Sequence, residues 1–450
     1  MRQLIDAADG KFGQGGTLIA YDDTPLRRFH ILLVIACLGG VFSDGYELGL
    51  IGISLETAAP ALKLSALWLG LIGAASLAGL FFGALVTGPA ADRFGRRAIF
   101  RYNMLPIAVL SLAQFLVTDA LQLLLLRFSL GFLLGTDYVV SKALLMEFSP
   151  RGIRGRMLGL LAIAWAGGYA TAYLVGLMLN SLGPDAWRIV LVTGAVPALL
   201  VLPLRLRVPE SPPWLVQQRR LDDARTIVDR TCGPGTAVPQ PPVSYDVVSG
   251  SKLKELLSPR WRMRTLVGAT FFTCQVIPYF ALGTFVGRVL EALGIEAAGT
   301  GGLAYNVFLF VGAVMGWMII DLMSRRTLLI GSFIVAALPL SVLTLGSDLP
   351  STAIVALFSI VACALSAMST LCYVYLVELF PTHLRASGVG LSIATSRIGS
   401  AVGTFLLPTL VSHFGIGAAL GSCVGVLLFG AAVCAAFAPE TRHIGVNDVA

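Results

Sequence analysis

The sequence predicts an all-α polytopic membrane protein of twelve transmembrane helices, arranged as two parallel six-helix repeats. Three observations lead there. Mean hydropathy is +0.83, with 56% hydrophobic and only 13% charged residues, against about 25% charged in soluble domains. Apolar stretches near 20 residues, the length that crosses a bilayer core of about 30 Å, recur with short polar breaks. The polar breaks themselves repeat across a long central loop. A transmembrane β-barrel would alternate in polarity along each strand, whereas 189–204 is apolar throughout.

In order, the spans fall at 29–55, 66–90, 98–117, 121–148, 157–182 and 188–205, then at 265–288, 302–323, 327–346, 352–380, 387–413 and 416–437. These divide the chain into an N-terminal bundle (1–204), a linker (205–264) and a C-terminal bundle with a short tail (265–450). The linker has a Pro/Gly-rich middle, 232–242, and short amphipathic segments at 212–230 and 251–258. With the N-terminus in the cytoplasm, 26 of the 32 Lys and Arg fall on the cytoplasmic side, so the positive-inside rule places both termini there. The net charge of +7 is thereby explained by topology, with no nucleic-acid partner. The first 28 residues resemble neither a cleaved signal nor a transit peptide. Seven cysteines without C-x-x-C spacing suggest neither disulfides nor zinc. No P-loop, H-E-x-x-H or G-x-S-x-G motif is present, so the chain is not expected to be an enzyme or to use ATP.

The repeat is visible in charged connectors. Glu147, Pro150 and Arg154 recur as Glu378, Pro381 and Arg385, each at an offset of 231. Asp92, Arg96 and Arg97 recur as Asp321, Arg325 and Arg326 at 229, and Pro209-Glu210-Ser211 recurs as Pro439-Glu440-Thr441 at 230. An even number of spans gives both copies the same orientation, an arrangement of transporters whose substrate site lies between the halves.

These residues resemble the major facilitator superfamily over essentially the whole chain. The stretch Gly88-Pro89-Ala90-Ala91-Asp92-Arg93-Phe94-Gly95-Arg96-Arg97 is similar to its G-x-x-x-D-R-x-G-R-R loop. Pro209-Glu210-Ser211-Pro212-Pro213-Trp214-Leu215 resembles the P-E-S-P-R-W-L of sugar porters and organic-ion transporters, with Pro213 in place of Arg. Ser43-Asp44-Gly45-Tyr46-Glu47 resembles the D-G-Y-D of aromatic acid:proton symporters. The resemblance implies a proton-coupled symporter that imports a small organic anion, an aromatic or other monocarboxylate, by alternating access. It implies protons as the coupling ion and no other cofactor, and function as a monomer in a bacterial inner membrane. Asp92, Arg93, Arg96, Arg97, Asp321 and Arg325 are then expected to form gating latches. Glu147 with Arg154, and Glu378 with Arg385, would act alike on the cytoplasmic face.

Charged groups within spans are costly, about 2.5–3.5 kcal/mol at a helix centre on insertion scales, and are functional candidates by default. At 1.5 Å per residue, Glu47 and Arg127 lie at one depth on antiparallel spans. A carboxylate that alternates between an Arg partner and a proton can couple proton flow, so Glu47, Arg127 and the neighbouring Asp44 are the proton-coupling candidates. The alternative is a permanent structural ion pair. Asp137 and Arg397 sit near the midplane, about 15 and 16 Å from the cytoplasmic face. The position equivalent to Arg397 in the first half is Ala166. A planar guanidinium can hold a carboxylate through two parallel hydrogen bonds, and an Arg in a matching R-I-G stretch is also found in the organic-anion and aromatic-acid branches. Arg397 is thus the substrate-carboxylate candidate, the alternative being an ion pair with Asp137 or Asp44 and no ligand role, with Asp137, Gln275, Tyr279, Tyr305, Asn306, Tyr373 and Trp165 as further cavity residues. Lys142, two turns from the end of its span, is expected to reach the headgroups. Sugar or polyol symport, drug export, or a non-transporting receptor on this scaffold are the competing functions. An anionic cargo that requires Arg397 separates the first reading from these.

Overall fold

The computed structural model describes residues 19–239, 254–295, 297–320, 322–346, 349–380 and 382–441. The membrane helices are α1 (Arg28–Ala61), α2 (Ala66–Phe94), α3 (Arg97–Leu116), α4 (Ala120–Phe148), α5 (Arg154–Leu182) and α6 (Ala186–Arg205) in the first half. In the second they are α7 (Arg262–Thr284), α8 (Ala298–Ile319), α9 (Arg325–Leu345), α10 (Ser351–Glu378) and a continuous stretch, Thr382–Phe437. That stretch bends at Gly415, whose φ of 81° is open to glycine but strained for other residues. Fifty-six residues are far longer than one crossing requires, so the bend separates α11 (382–414) from α12 (416–437).

Helix starts follow the sequence chemistry. Ser65, Asp119 and Ser324 cap α2, α4 and α9 by accepting from the backbone N–H of Trp68, Gln122 and Thr327. The helices have apolar residues on all sides rather than a single stripe, as spans that face both lipid and protein require. Exposed Leu85, Leu200 and Leu338 point outward, while glycines bring backbones together inside. Gly79 and Gly83 of α2 lie against backbone atoms of Phe128 and Phe132 on α4, and Gly131 and Gly135 return the fit against Ser76 and Leu80. Gly312 and Gly316 of α8 repeat this against Cys363 and Ala367 of α10. All seven cysteines are free.

The linker places Pro212–Gln217 and Leu221–Thr231 in two short helices instead of one, because the chain turns at Arg219 with φ 60°. Residues 254–256 are helical, and 251–253 lie outside the described residues.

The two halves meet most closely at the membrane face opposite the connectors. There Gly52 of α1 abuts the carbonyl of Thr284, Gly70 of α2 abuts that of Phe405, and Gly302 of α8 receives the Tyr173 hydroxyl. On the connector face Gly159 of α5 packs under the Trp317 indole. No ion pair crosses between the halves on that face among the described residues.

Candidate functional site

Between the halves lies a small cavity of about 60 Å³. The first half lines it with Asp44, Tyr138 and Trp165, the second with Gln275, Tyr279 and Arg397. Backbone proximity sets this arrangement. Gly45 lets the Trp165 carbonyl approach α1, and Gly168 does the same for the Phe42 carbonyl, so α5 is drawn against α1. The Trp165 ring then stands 5.2 Å from Tyr169, 5.7 Å from Tyr279 and 5.8 Å from Phe280. Gln275 donates to the Leu365 carbonyl and to Ser369 Oγ, both at 2.9 Å. One wall is therefore aromatic and another carries hydroxyls.

Arg397 is 6% exposed, with its Cζ 5.3 Å from the Tyr138 ring centre and 5.7 Å from that of Phe272. Its buried Nε has no hydrogen-bond partner, and no carboxylate pairs with it among the described residues. Asp44 is buried, and neither carboxylate oxygen has a hydrogen-bond partner among the described residues. Each is a polar group that the fold itself leaves unsatisfied in the cavity wall, which is costly without a ligand, water or proton.

Glu47 and Arg127 are both fully buried and paired at 3.3 Å. Arg127 also donates to the Glu47 carbonyl at 2.7 Å, and Ser111 donates to Glu47 Oε1. Gly194, at a break in α6, makes the space that this carboxyl fills. The pair sits inside the first bundle, off the cavity wall, although Asp44 is only three residues away.

Asp137 corrects the sequence reading. It is fully buried and bound by both Arg205 Nη atoms, with Ser141 adding a bond at 2.9 Å. This side chain is sealed within the first half and does not line the cavity. Arg205 reads as a loop cation because it ends α6; its guanidinium instead turns into the bundle, where Gly40 leaves room for it. A second correction concerns Tyr305 and Asn306. Both are fully buried, Tyr305 against Phe358 and Asn306 bonded to the Gly302 carbonyl of its own helix at 2.8 Å, and neither lines the cavity. The side chain of Tyr373 lies outside the described residues. Lys142 does not reach outward: its Nζ lies 3.3 Å from the Tyr138 ring centre.

The connector residues pair differently from the sequence reading. Arg96 joins Asp92 at 2.8 Å and Glu147 at 3.4 Å, so Glu147 takes Arg96 rather than Arg154. Arg154 reaches Asp22 at 2.7 Å and the Ser149 carbonyl. Arg325 joins Glu378 through Nε at 3.3 Å and Nη2 at 3.4 Å, the same pairing in the second half. Asp321 and the Arg385 side chain lie outside the described residues. The side chains of Arg93 and Arg97 are exposed and make no ion pair among the described residues.

Glu210 and Glu440 carry no role in the sequence reading, although their repeat offset marks them. Glu210 accepts from the backbone N–H of Arg96 at 3.0 Å and of Arg97 at 3.2 Å. Glu440 accepts from Arg325 at 2.9 Å and Arg326 at 3.0 Å. Each acid satisfies the open N–H groups at the start of α3 or α9, where the helix dipole favours negative charge. Trp214 Nε1 then donates to the Asp92 carbonyl at 2.8 Å, tying the linker to the end of α2.

Comparison with known proteins places this architecture. Residues 32–450 match the family described as "Sugar (and other) transporter". The inner membrane metabolite transport protein YgcS of Escherichia coli (strain K12) is 39% identical over 428 residues, 95% of each chain. The niacin transporter NiaP of Acinetobacter baylyi is 27% identical, covering 94% of this chain and 96% of its own. A partially occluded inward-open structure of the xylose transporter XylE from E. coli superposes with a TM-score of 0.78 at 18% identity, over 92% of this chain and 99% of that one, and so shares the fold. The chain belongs to the sugar (and other) transporter family of the major facilitator superfamily, whose members are membrane transporters and not enzymes.

Proposed function

We propose that this transporter imports a small organic anion, an aromatic or other monocarboxylate, by proton symport through alternating access in a bacterial inner membrane. The observation that carries the reading is Arg397, a buried guanidinium in the cavity wall, flanked by aromatic rings and paired with no carboxylate among the described residues. An Arg fork matches a carboxylate in two hydrogen bonds, and the Trp165–Tyr279–Phe280 cluster offers apolar faces to the rest of the molecule. The relative named as a niacin transporter supports an aromatic acid, whereas the xylose transporter shares only the fold.

For the proton, the geometry favours Asp44 over Glu47. Asp44 can gain or lose a proton without breaking an ion pair and does so beside the substrate, while Glu47 would first have to leave Arg127 and Ser111. Glu47 and Arg127 then hold α1 to α4, fixing the depth of Asp44. With the connectors and both termini in the cytoplasm, the halves are closed on the outer side, and the cavity belongs to an inward-facing state. The Arg96–Glu147 and Arg325–Glu378 pairs act as hinges within each half, and rocking of the halves exchanges access. The unit of function is the monomer.

The test is uptake into proteoliposomes with an acid exterior, using radiolabelled nicotinate, benzoate and xylose. Wild type should accumulate a carboxylate, and Arg397→Ala should lower kcat/KM for it by about 30-fold or more, as loss of a bidentate charged contact of about 2 kcal/mol implies. Uptake of xylose alone, or carboxylate uptake indifferent to Arg397, would contradict the reading.

A further inference from the structure

Two cations from different halves converge on one aromatic ring. Arg397 of α11 lies 5.3 Å from the ring centre of Tyr138, and Lys142 of α4 lies 3.3 Å from the same centre. Tyr138 lines the cavity and Lys142 does not, so the ring separates the cavity from the ammonium. The spacing of four residues puts Lys142 one helical turn beyond Tyr138 on the same face of α4.

Direction matters as much as proximity. The span α4 ends on the connector face at Phe148, six residues beyond Lys142, which places Lys142 about 9 Å from that end. Arg397 lies fifteen residues into α11 from Thr382, about 22 Å from the same face. The cavity is shut on the far side, where Gly52 meets Thr284 and Gly70 meets Phe405. An anion leaving Arg397 therefore travels toward the connectors and passes Tyr138. A single buried guanidinium that holds a carboxylate tightly also retains it, and permeation through charged sites relies on a second site that makes each step shallow. The cation–π contact with Tyr138 keeps an ammonium stable at this depth until an anion replaces it.

We propose that Lys142 is a second anion-binding station, which takes the carboxylate from Arg397 around the Tyr138 ring on the way to the connector face. This rests on the carboxylate reading above and adds a residue that the resting cavity does not touch.

The experiment compares wild type, Lys142→Met, Lys142→Arg and Arg397→Ala in two measurements: equilibrium binding of radiolabelled nicotinate and benzoate to purified protein, and exchange of the same acids across proteoliposomes. Lys142→Met should bind within about twofold of wild type yet exchange about tenfold more slowly, and Lys142→Arg should restore most of the rate. An unchanged rate in Lys142→Met overturns the proposal. So does an affinity loss as large as that of Arg397→Ala, which would make Lys142 part of the central site. A slow Lys142→Met that Lys142→Arg fails to rescue would show a packing role and also overturn it. A wild type that binds no carboxylate overturns this proposal and the proposed function together. Where wild type binds and exchanges the acids, failure of the Lys142 variants to behave as stated overturns the second station alone.

Discussion

Buried charge is handled in two ways inside this membrane bundle, as matched pairs within the first half and as groups on the cavity wall. Glu47–Arg127 and Asp137–Arg205 are matched pairs with no exposed side-chain area. Asp44 and Arg397 are buried without such partners among the described residues and face one cavity. Removing one member of a matched pair leaves an uncompensated buried charge, which costs about 3–5 kcal/mol, while replacing both by apolar residues is often neutral. Asp137→Ala should therefore collapse the yield of folded protein and lower its melting temperature sharply, and Asp137→Leu combined with Arg205→Met should recover most of both. Equal damage from the single and double variants would contradict a purely structural pair. The Glu47–Arg127 juxtaposition is legible in the sequence, since helix rise puts the two residues at one depth. The Asp137–Arg205 pair is not, because Arg205 terminates an apolar run and reads as a loop cation. Only the packing of α1 around Gly40 shows that its side chain turns inward.

At the scale of elements, the duplicated connectors act as clamps on helix ends. Glu210 and Glu440 each accept two backbone N–H groups from the start of a membrane helix, and the adjoining Arg side chains bridge to Glu147 and Glu378. Side-chain caps are worth about 0.5–2 kcal/mol each, so Glu210→Ala and Glu440→Ala should each lower thermal stability in detergent by that order while leaving substrate affinity intact. A large affinity change without a stability change would place these acids in the transport cycle itself. The offset of 229–231 residues exposes the repeat without any coordinates, yet the pairing of its charges is only partly visible there. Glu147 and Arg154 lie seven residues apart in one connector, which suggests a local pair. The fold instead brings in Arg96 from the preceding connector, because α2 and α4 pack along their glycines. Similarly, polar residues such as Asn306 read as cavity residues from span composition alone, while the facing of α8 turns that side chain inward to its own helix.

For the whole molecule, two similar halves line the cavity that holds Asp44 and Arg397, and in the proposed function the contacts between the halves set access to it. Closure opposite the connectors depends on small residues: a Cβ at Gly52 would run into the Thr284 carbonyl. Gly52→Leu should wedge the halves apart there, shifting the population toward the state open on that side and slowing turnover. A cysteine placed at Ala59 should then react faster with a membrane-impermeant maleimide applied from that side; no change in its labelling would mean that the wedge is absorbed within α1. The fold is largely legible because hydropathy, charge bias and duplication report on bilayer physics directly. The cavity is legible only in part, since which of several polar residues face inward depends on helix rotation. The central claim of the proposed function is that a carboxylate and protons cross together through a site formed by Arg397 and Asp44. It is tested most directly by recording internal pH in proteoliposomes loaded with a fluorescent indicator as nicotinate or benzoate is added outside, with wild type and Asp44→Asn side by side. The account predicts acidification with wild type, and with Asp44→Asn loss of acidification while carboxylate exchange persists. Carboxylate uptake by wild type without acidification, or unchanged acidification in Asp44→Asn, would contradict it.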